Sequence, residues 1–245
     1  MPRIYFPASE KTGDQITITG EKSHYLISVL RCHKNDELIL FNGKGGCFRT
    51  KILKADKKEV ITEVIEKFPC DTESPLYIIL VQGLVKGEKM DMIVQKTTEL
   101  GVKKIIPVIT KRSQLRDTKK VQRWRKIAEE AARQSGRSIV PDIQELARFG
   151  NLFKDNTEKK KGLIFYEGGE RKLSETVEIL KTELKEIGEE IYLIIGPEGG
   201  FAEDEIKMAN NKGFLITSFG RRILRAETAA ISSVALIQFL LGDIG

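Results

Sequence analysis

Five short apolar runs punctuate the chain beyond residue 75, and each is followed by a stretch of mixed polarity. Residues 76–82, 104–109, 162–166, 191–195 and 214–217 are dominated by aliphatic, β-branched and aromatic side chains. Runs of this length fit strands buried on both faces of a parallel sheet. Between them, Met90, Ile93, Val94, Thr97 and Leu100 recur at helical spacing until Gly101 supplies a stop. Val121, Trp124, Ala128 and Ala131 form the buried stripe of the next helix and leave its basic residues on the other side, so Met90 and Trp124 read as core. Residues 173–187 read as a further helix, and another opens at Glu203. The last, residues 226–241, is apolar nearly all round and must be covered on more than one side. Five alternating strand-helix units predict a doubly wound parallel α/β sheet.

The pattern before residue 68 is different. Residues 15–19, 37–41, 48–53 and 60–65 show alternation or β-branched enrichment, Asn42-Gly43 and Gly45-Gly46 mark a tight hairpin, and residues 23–30 are the one helical interruption. Closing so many short strands into a small β-barrel is the natural solution. Residues 68–75 carry Pro69 and Pro75 with no periodicity, which places a domain boundary there, with domains at residues 1–70 and 71–245.

Two of the predicted strands end in glycine-punctuated turns. The run to Ile195 breaks at Gly196-Pro197-Glu198-Gly199-Gly200-Phe201, and the run to Thr217 is followed by Ser218-Phe219-Gly220-Arg221-Arg222-Ile223-Leu224-Arg225-Ala226-Glu227-Thr228-Ala229. Loops at the carboxyl ends of neighbouring parallel strands face one crevice, the usual ligand position in an open α/β sheet. The helix after the first turn opens with Glu203, Asp204 and Glu205, which would repel a phosphate. A P-loop is disfavoured and the dinucleotide spacing is absent. A ligand with an adenosine body and a positive charge suits such a loop better. Glu167-Gly168-Gly169 is a third glycine-containing loop at the same sheet edge.

Charge changes this picture by its location. The net charge is +6, and residues 111–148 hold eleven basic against five acidic residues, so this segment accounts for the whole surplus. Clustering of this kind is the footprint of a polyanionic partner, although a solvated helix face would look the same. Cys32, Cys47 and Cys70 are odd in number and widely spaced, which points to neither a disulfide framework nor a zinc ribbon, and with only His24 and His33 no metal is expected. Residues 1–6 lack the apolar core of a signal peptide and no eighteen-residue apolar run occurs, so a cytoplasmic location and no membrane association are expected.

The two glycine loops, with Lys86-Gly87-Glu88-Lys89-Met90-Asp91, Gln95 to Val102, Glu130 to Arg137 with Pro141, and His24 to Arg31, make the chain resemble the RsmE-type ribosomal RNA methyltransferases of the SPOUT class. The resemblance implies a SPOUT-like parallel sheet with a carboxyl-terminal trefoil knot, preceded by a small PUA-like β-barrel that helps hold RNA. General topology rules argue against a knot, and nothing in the periodicity requires one. It implies S-adenosyl-L-methionine as cofactor, a homodimer, and N3 of one uridine in 16S rRNA of the small ribosomal subunit as target.

Carried over residue by residue, the cofactor would rest on Gly196, Pro197, Gly199 and Gly200. Leu215, Gly220, Ile223 and Leu224 would enclose the adenine, with Ala229 as floor and Thr228 as a cap or a cofactor contact. Methyl transfer to a uridine nitrogen is a displacement that also removes a proton. Arg225 would stabilise negative charge on the base ring. Glu198 would orient its loop, or accept the proton if burial raised its pKa. Arg31, Lys86, Arg112, Arg116, Arg123 and Arg137 would grip RNA. Ala202 stands where the family commonly has a capping Ser or Thr, a loss of about 1 kcal/mol. On residues alone, a non-catalytic RNA-binding or ribosome assembly factor and another nucleotide-binding α/β enzyme remain open.

Overall fold

In the computed structural model, which describes residues 1–7, 13–154, 160–184, 186 and 188–245, the first strands are β1 (Arg3–Tyr5) and β2 (Gln15–Thr19). Helix α1 (Glu21–His24) runs into a wider π-turn over Tyr25–Val29, and β3 (Glu37–Phe41), β4 (Gly46–Ala55) and β5 (Glu59–Pro69) complete the set. They form one five-stranded sheet in the order β1-β3-β4-β5-β2, with β1 parallel to β3 and the other pairs antiparallel. Alternation does what the pattern predicts: Ile16 and Ile18 of β2, Leu38 and Leu40 of β3, and Ile52, Val60 and Val64 meet Leu26 in one core. A β1-β2 ladder that would close the sheet into a barrel is not among the pairings of the described residues. The β3-β4 turn is held by Asn42, whose Oδ1 accepts from the amides of Lys44 and Gly46, each at 2.9 Å.

The cysteines depart from expectation. Cys47 and Cys70 form a disulfide with Cα atoms 6.1 Å apart. The β4-β5 register sets Gly46 opposite Pro69, so two residues remote in sequence become cross-strand neighbours, which spacing alone does not reveal.

The chain divides into two units, Met1–Glu73 with Ala132–Val140, and Ser74–Ala131 with Pro141–Gly245. Within the first, Arg137 is 2% exposed and pairs with Glu73 at 2.8 Å, while Glu73 also accepts the amides of Ser138 and Ile139 at 3.0 and 2.9 Å.

The second unit begins with β6 (Tyr77–Gly83), α2 (Lys89–Glu99), β7 (Lys104–Ile109) and α3 (Val121–Ser135), whose last residues belong to the first unit. Strands β8 (Asp142–Ile143) and β9 (Ala147–Arg148), a 3-10 turn over Phe149–Phe153, β10 (Lys161–Phe165) and α4 (Leu173–Glu183) follow. Then come β11 (Glu190–Ile195), α5 (Glu203–Asn211), β12 (Leu215–Thr217) and α6 (Ala226–Leu241). All pairings are parallel, in the order β12-β10-β11-β6-β7-β8, with β9 also on β7. Strands β6, β10 and β11 are buried at nearly every position, as runs covered on both faces must be. Met90 and Trp124 are core, at 1% exposure each.

Two boundaries differ from the pattern reading. Leu184 is already extended, so α4 stops short of residue 187, which lies outside the described residues. Strand β10 runs over Lys161–Phe165, one residue ahead of the run read at residues 162–166. Helix α6 packs on α2, β6 and β11. Its buried Gln238 ties the layers together: Nε2 donates to the Leu100 carbonyl at 2.9 Å and Oε1 accepts from Ser74 Oγ at 2.7 Å.

Candidate active site

Because β10 and β11 are neighbours and β12 flanks β10, the loops that leave their carboxyl ends converge. They enclose a cavity of about 430 Å³, within the range of small-molecule sites. The β10 exit contributes Phe165, Tyr166 and Glu167; the β11 exit Gly196, Pro197, Glu198, Gly200 and Phe201. The β12 exit contributes Gly220, Ile223, Leu224 and Arg225, and the start of α6 adds Ala226 and Ala229. Phe165 and Phe219 stack at 4.5 Å between centroids, joining the β10 and β12 loops by their rings. Leu215, Gly199 and Thr228 are not among the described residues that line the cavity. Leu215 is the first residue of β12, at the far end of the strand from the loop; Gly199 lies against the Arg112 backbone; Thr228 is exposed on α6.

The turn after β11 needs its glycines for different reasons. Gly200 takes φ +66°, a conformation that side-chain-bearing residues resist, and its amide donates to the Pro197 carbonyl at 2.9 Å. A constraint outside the motif is Gly83 at the end of β6. A Cβ there would stand 2.4 Å from the Pro197 nitrogen and 2.8 Å from the Gly196 carbonyl carbon, so this glycine makes the room in which the cofactor-type loop sits. Behind the loop, α5 lacks a capping side chain at Ala202. Buried Glu205 compensates in part, accepting the amides of Ala202 and Lys111, each at 2.9 Å. Asp204 pairs with Lys111.

Glu198 is held from outside its own loop. Its Oε1 accepts from the Lys86 amide and from Lys89 Nζ, both at 3.1 Å. Burial alone would raise the carboxyl's pKa, but its own amide, the Lys86 amide and the Lys89 ammonium together outweigh that and hold it below the ordinary glutamate value. A proton acceptor needs the opposite shift, so the geometry supports the orienting role for this carboxylate. Lys89, which sequence reasoning did not single out as functional, also stands 3.7 Å from Glu227 Oε2, a buried oxygen without a hydrogen-bond partner among the described residues. One ammonium thus joins the start of α2, the β11 loop and the first turn of α6.

Arg225 lines the cavity and its side chain makes no hydrogen bond or ion pair with any described residue. The amides of residues 219–224 likewise find no protein acceptor among the described residues. Backbone polar groups must be satisfied somewhere, and a segment this short of internal partners is built to be completed by a ligand or solvent. The cavity therefore offers an apolar floor of Phe201, Ala226 and Ala229, a rim of free amides, one fixed carboxylate and one unpaired guanidinium. That donor set fits an adenosine body bearing an amino-acid tail, with a reacting anion beside Arg225.

The basic residues divide into spent and available. Arg137 is buried against Glu73; Arg123 pairs with Asp91 at 2.7 Å; Arg116 donates to the carbonyls of Thr110 and Lys111, each at 3.0 Å. Lys86, Arg112 and Arg31 are exposed, and their side chains have no partner among the described residues. Among the described residues there is no group of side chains suited to a metal ion and no helix long and apolar enough to cross a membrane.

Comparison with known proteins places the chain among relatives. Residues 72–238 match the family model described as an RNA methyltransferase domain, and residues 18–65 the RNA methyltransferase PUA domain. The ribosomal RNA small subunit methyltransferase E of Buchnera aphidicola from Acyrthosiphon pisum is 34% identical, over 99% of this chain and 95% of its own length. The protein of that name from Bacillus subtilis is 32% identical, over 91% and 89%. The crystal structure of the Neisseria gonorrhoeae protein of that name, bound to S-adenosyl methionine, superposes with a TM-score of 0.90 at 32% identity, covering 100% of both chains.

Proposed function

Since the chain belongs to the RNA methyltransferase family that includes the ribosomal RNA small subunit methyltransferase E proteins, we propose that it transfers a methyl group from S-adenosyl-L-methionine to N3 of a uridine in 16S rRNA of the small ribosomal subunit. The observation that carries the reading is the convergence of two glycine loops on one cavity where the amides of residues 219–224 and the Arg225 guanidinium lack partners among the described residues.

When bound, the cofactor supplies an electrophilic methyl group. The chain's own work is alignment and charge. Gly196, Pro197 and Gly200 seat the cofactor by backbone contact, Gly220, Ile223 and Leu224 close over its base, and Ala229 floors the site. Glu198, kept ionised by Lys86 and Lys89, holds the first loop in register with α2. Arg225 stabilises the negative charge that builds on the uracil oxygens as N3 gives up its proton. Lys86, Arg112 and Arg31 meet phosphates, with the exposed parts of Arg116 and Arg123 following Arg112 in sequence.

Residues 1–70 serve as a PUA-like RNA-holding domain built on the five-stranded sheet, and residues 71–245, apart from the segment 132–140 that groups with the first unit, as the methyltransferase domain. In the latter, the crossing from β11 past β10 to β12, and the return of α6 onto β6 and β11, support a carboxyl-terminal trefoil knot. A homodimer that covers the exposed apolar side of α6, in the cytoplasm, completes the reading.

Methyl transfer to small subunits lacking the modification, followed by mass mapping of the methylated nucleotide, is the direct test. Transfer to N3 of one uridine is expected; methylation at a ribose or no transfer overturns the proposal. Arg225→Ala should lower kcat by about a hundredfold or more, the scale of losing one charge-stabilising donor, with cofactor affinity changed no more than a few-fold.

A further inference from the structure

Glu205 sits in the first turn of α5 at 4% exposure, and its two carboxylate oxygens serve different segments. Oε2 accepts the amide of Ala202, at the head of its own helix, while Oε1 accepts the amide of Lys111, remote in sequence, each at 2.9 Å. A helix cap needs only the first of these bonds, and an exposed glutamate makes it equally well. Burying the charge is costly unless its partners are in place, so the second bond calls for a reason of its own.

Lys111 belongs to a turn at the carboxyl end of β7 that is braced on itself. The Thr110 amide donates to Ser113 Oγ at 2.9 Å, the Ser113 amide donates to the Thr110 carbonyl at 3.2 Å, and Arg116 clasps the carbonyls of Thr110 and Lys111 at 3.0 Å each. Thr110 and Ser113 are buried, whereas Arg112 between them is exposed, its side chain without a partner among the described residues. The turn also abuts the first glycine loop, since a Cβ at Gly199 would stand 2.7 Å from the Arg112 carbonyl oxygen. Lys111 and Asp204 pair across the same gap, but both side chains are more than half exposed, where an ion pair adds little beside a bond to a buried carboxylate.

A rigid turn that presents one free cation, seated on the glycine loop and tied to a buried carboxylate, is a fixed arm beside the cavity. We propose that Glu205 is a positioning residue: by holding the Lys111 amide it sets Arg112 against an RNA phosphate at a constant distance from the methyl donor's seat. This rests on the RNA methyltransferase reading and deepens it. Alignment of the two reactants is then built into a carboxylate that is not among the described residues lining the cavity.

A double-mutant cycle on the full-length protein tests this, with KM for small subunits lacking the modification, kcat and cofactor affinity measured for each variant. Glu205→Gln keeps the size of the side chain but leaves one oxygen to serve two amides. Arg112→Ala should raise KM about tenfold in the wild-type background and no more than about twofold in Glu205→Gln, because a phosphate contact already out of place has little left to lose. Glu205→Gln alone should raise KM with a smaller fall in kcat and a smaller loss of cofactor affinity. Gly199→Ala is an independent route: Gly199 is not among the glycines with positive φ, and the added methyl presses directly on the Arg112 carbonyl. It should blunt the effect of Arg112→Ala in the same way, and it carries the cycle if Glu205→Gln does not fold. Three results overturn the inference: equal costs of Arg112→Ala in every background, which would leave Glu205 a helix cap; no effect of Arg112→Ala in the wild type; or a loss of cofactor affinity in Glu205→Gln as large as the rise in KM. If the wild-type protein transfers no methyl group the functional reading falls, and the cycle is then scored by binding of labelled small subunits, so the two failures stay distinct.

Discussion

Lys89 is a single positive charge with two carboxylates to satisfy, and both belong to segments that build the cavity. Its removal would free Glu198 from one of its three hydrogen-bond donors and leave the buried Glu227 oxygen without a nearby cation. Lys89→Met should weaken cofactor affinity about tenfold, roughly 1.4 kcal/mol, with Lys89→Arg recovering most of it; calorimetry measures both. The pH dependence has a definite sign. The Glu198 carboxyl is lowered in the folded protein, so its contribution is fully present above the ordinary glutamate value of about 4.3 and is lost only as pH falls through the lower folded value. Cofactor affinity should therefore stay flat between about pH 8 and pH 5 as far as this group is concerned. A decline centred near pH 6 to 7 would show that another group governs the loop.

At the scale of elements, the site depends on a strand that the glycine motifs do not mention. Gly83 ends β6, and its missing side chain is the space into which Gly196 and Pro197 fit. Gly83→Ala should destabilise the protein by roughly 1–3 kcal/mol, the usual range for overpacking, and should cost cofactor affinity, whereas an alanine at exposed Gly188 should not touch affinity; denaturant melts and calorimetry on the two variants separate these effects. What was legible beforehand follows the same logic. The five parallel strands were visible because each is a compact apolar run, buried at nearly every position in β6, β10 and β11, and α6 because it is apolar nearly all round. The convergence of the two glycine loops follows from the strands that carry them. Strands β8 and β9 were not visible, since two residues hold no periodicity. Nor were the Cys47–Cys70 bridge, the spending of Arg137 on Glu73, or the role of Lys89, because each is set by a partner distant in sequence.

For the molecule as a whole, the exposed side of α6 is a liability in water. Leu236, Phe239 and Leu240 share one helical face at 37%, 58% and 37% exposure, and Met92 of α2 is 51% exposed. Fully burying one such side chain is worth about 1.5–3 kcal/mol, and the part of it still to be gained at each of the three favours a second copy on this face. Sedimentation of the wild-type protein should give a dimer at micromolar concentration, and Phe239→Glu should shift it toward the monomer without unfolding it. A monomeric wild type would leave the apolar face unexplained and remove the dimer from the proposal.

The order in which the cavity's walls occur along the chain has a consequence for biosynthesis. Ala226 and Ala229 belong to α6, which follows every other wall segment, and α6 is fastened by Gln238 to residues near the beginning of the second unit. A nascent polypeptide whose α6 is still inside the translating ribosome has no finished seat for a methyl donor. The enzyme would thus become competent only after its own synthesis has passed α6, and stalled or shortened products ending before Ala226 would be silent bystanders without the capacity to sequester the cofactor.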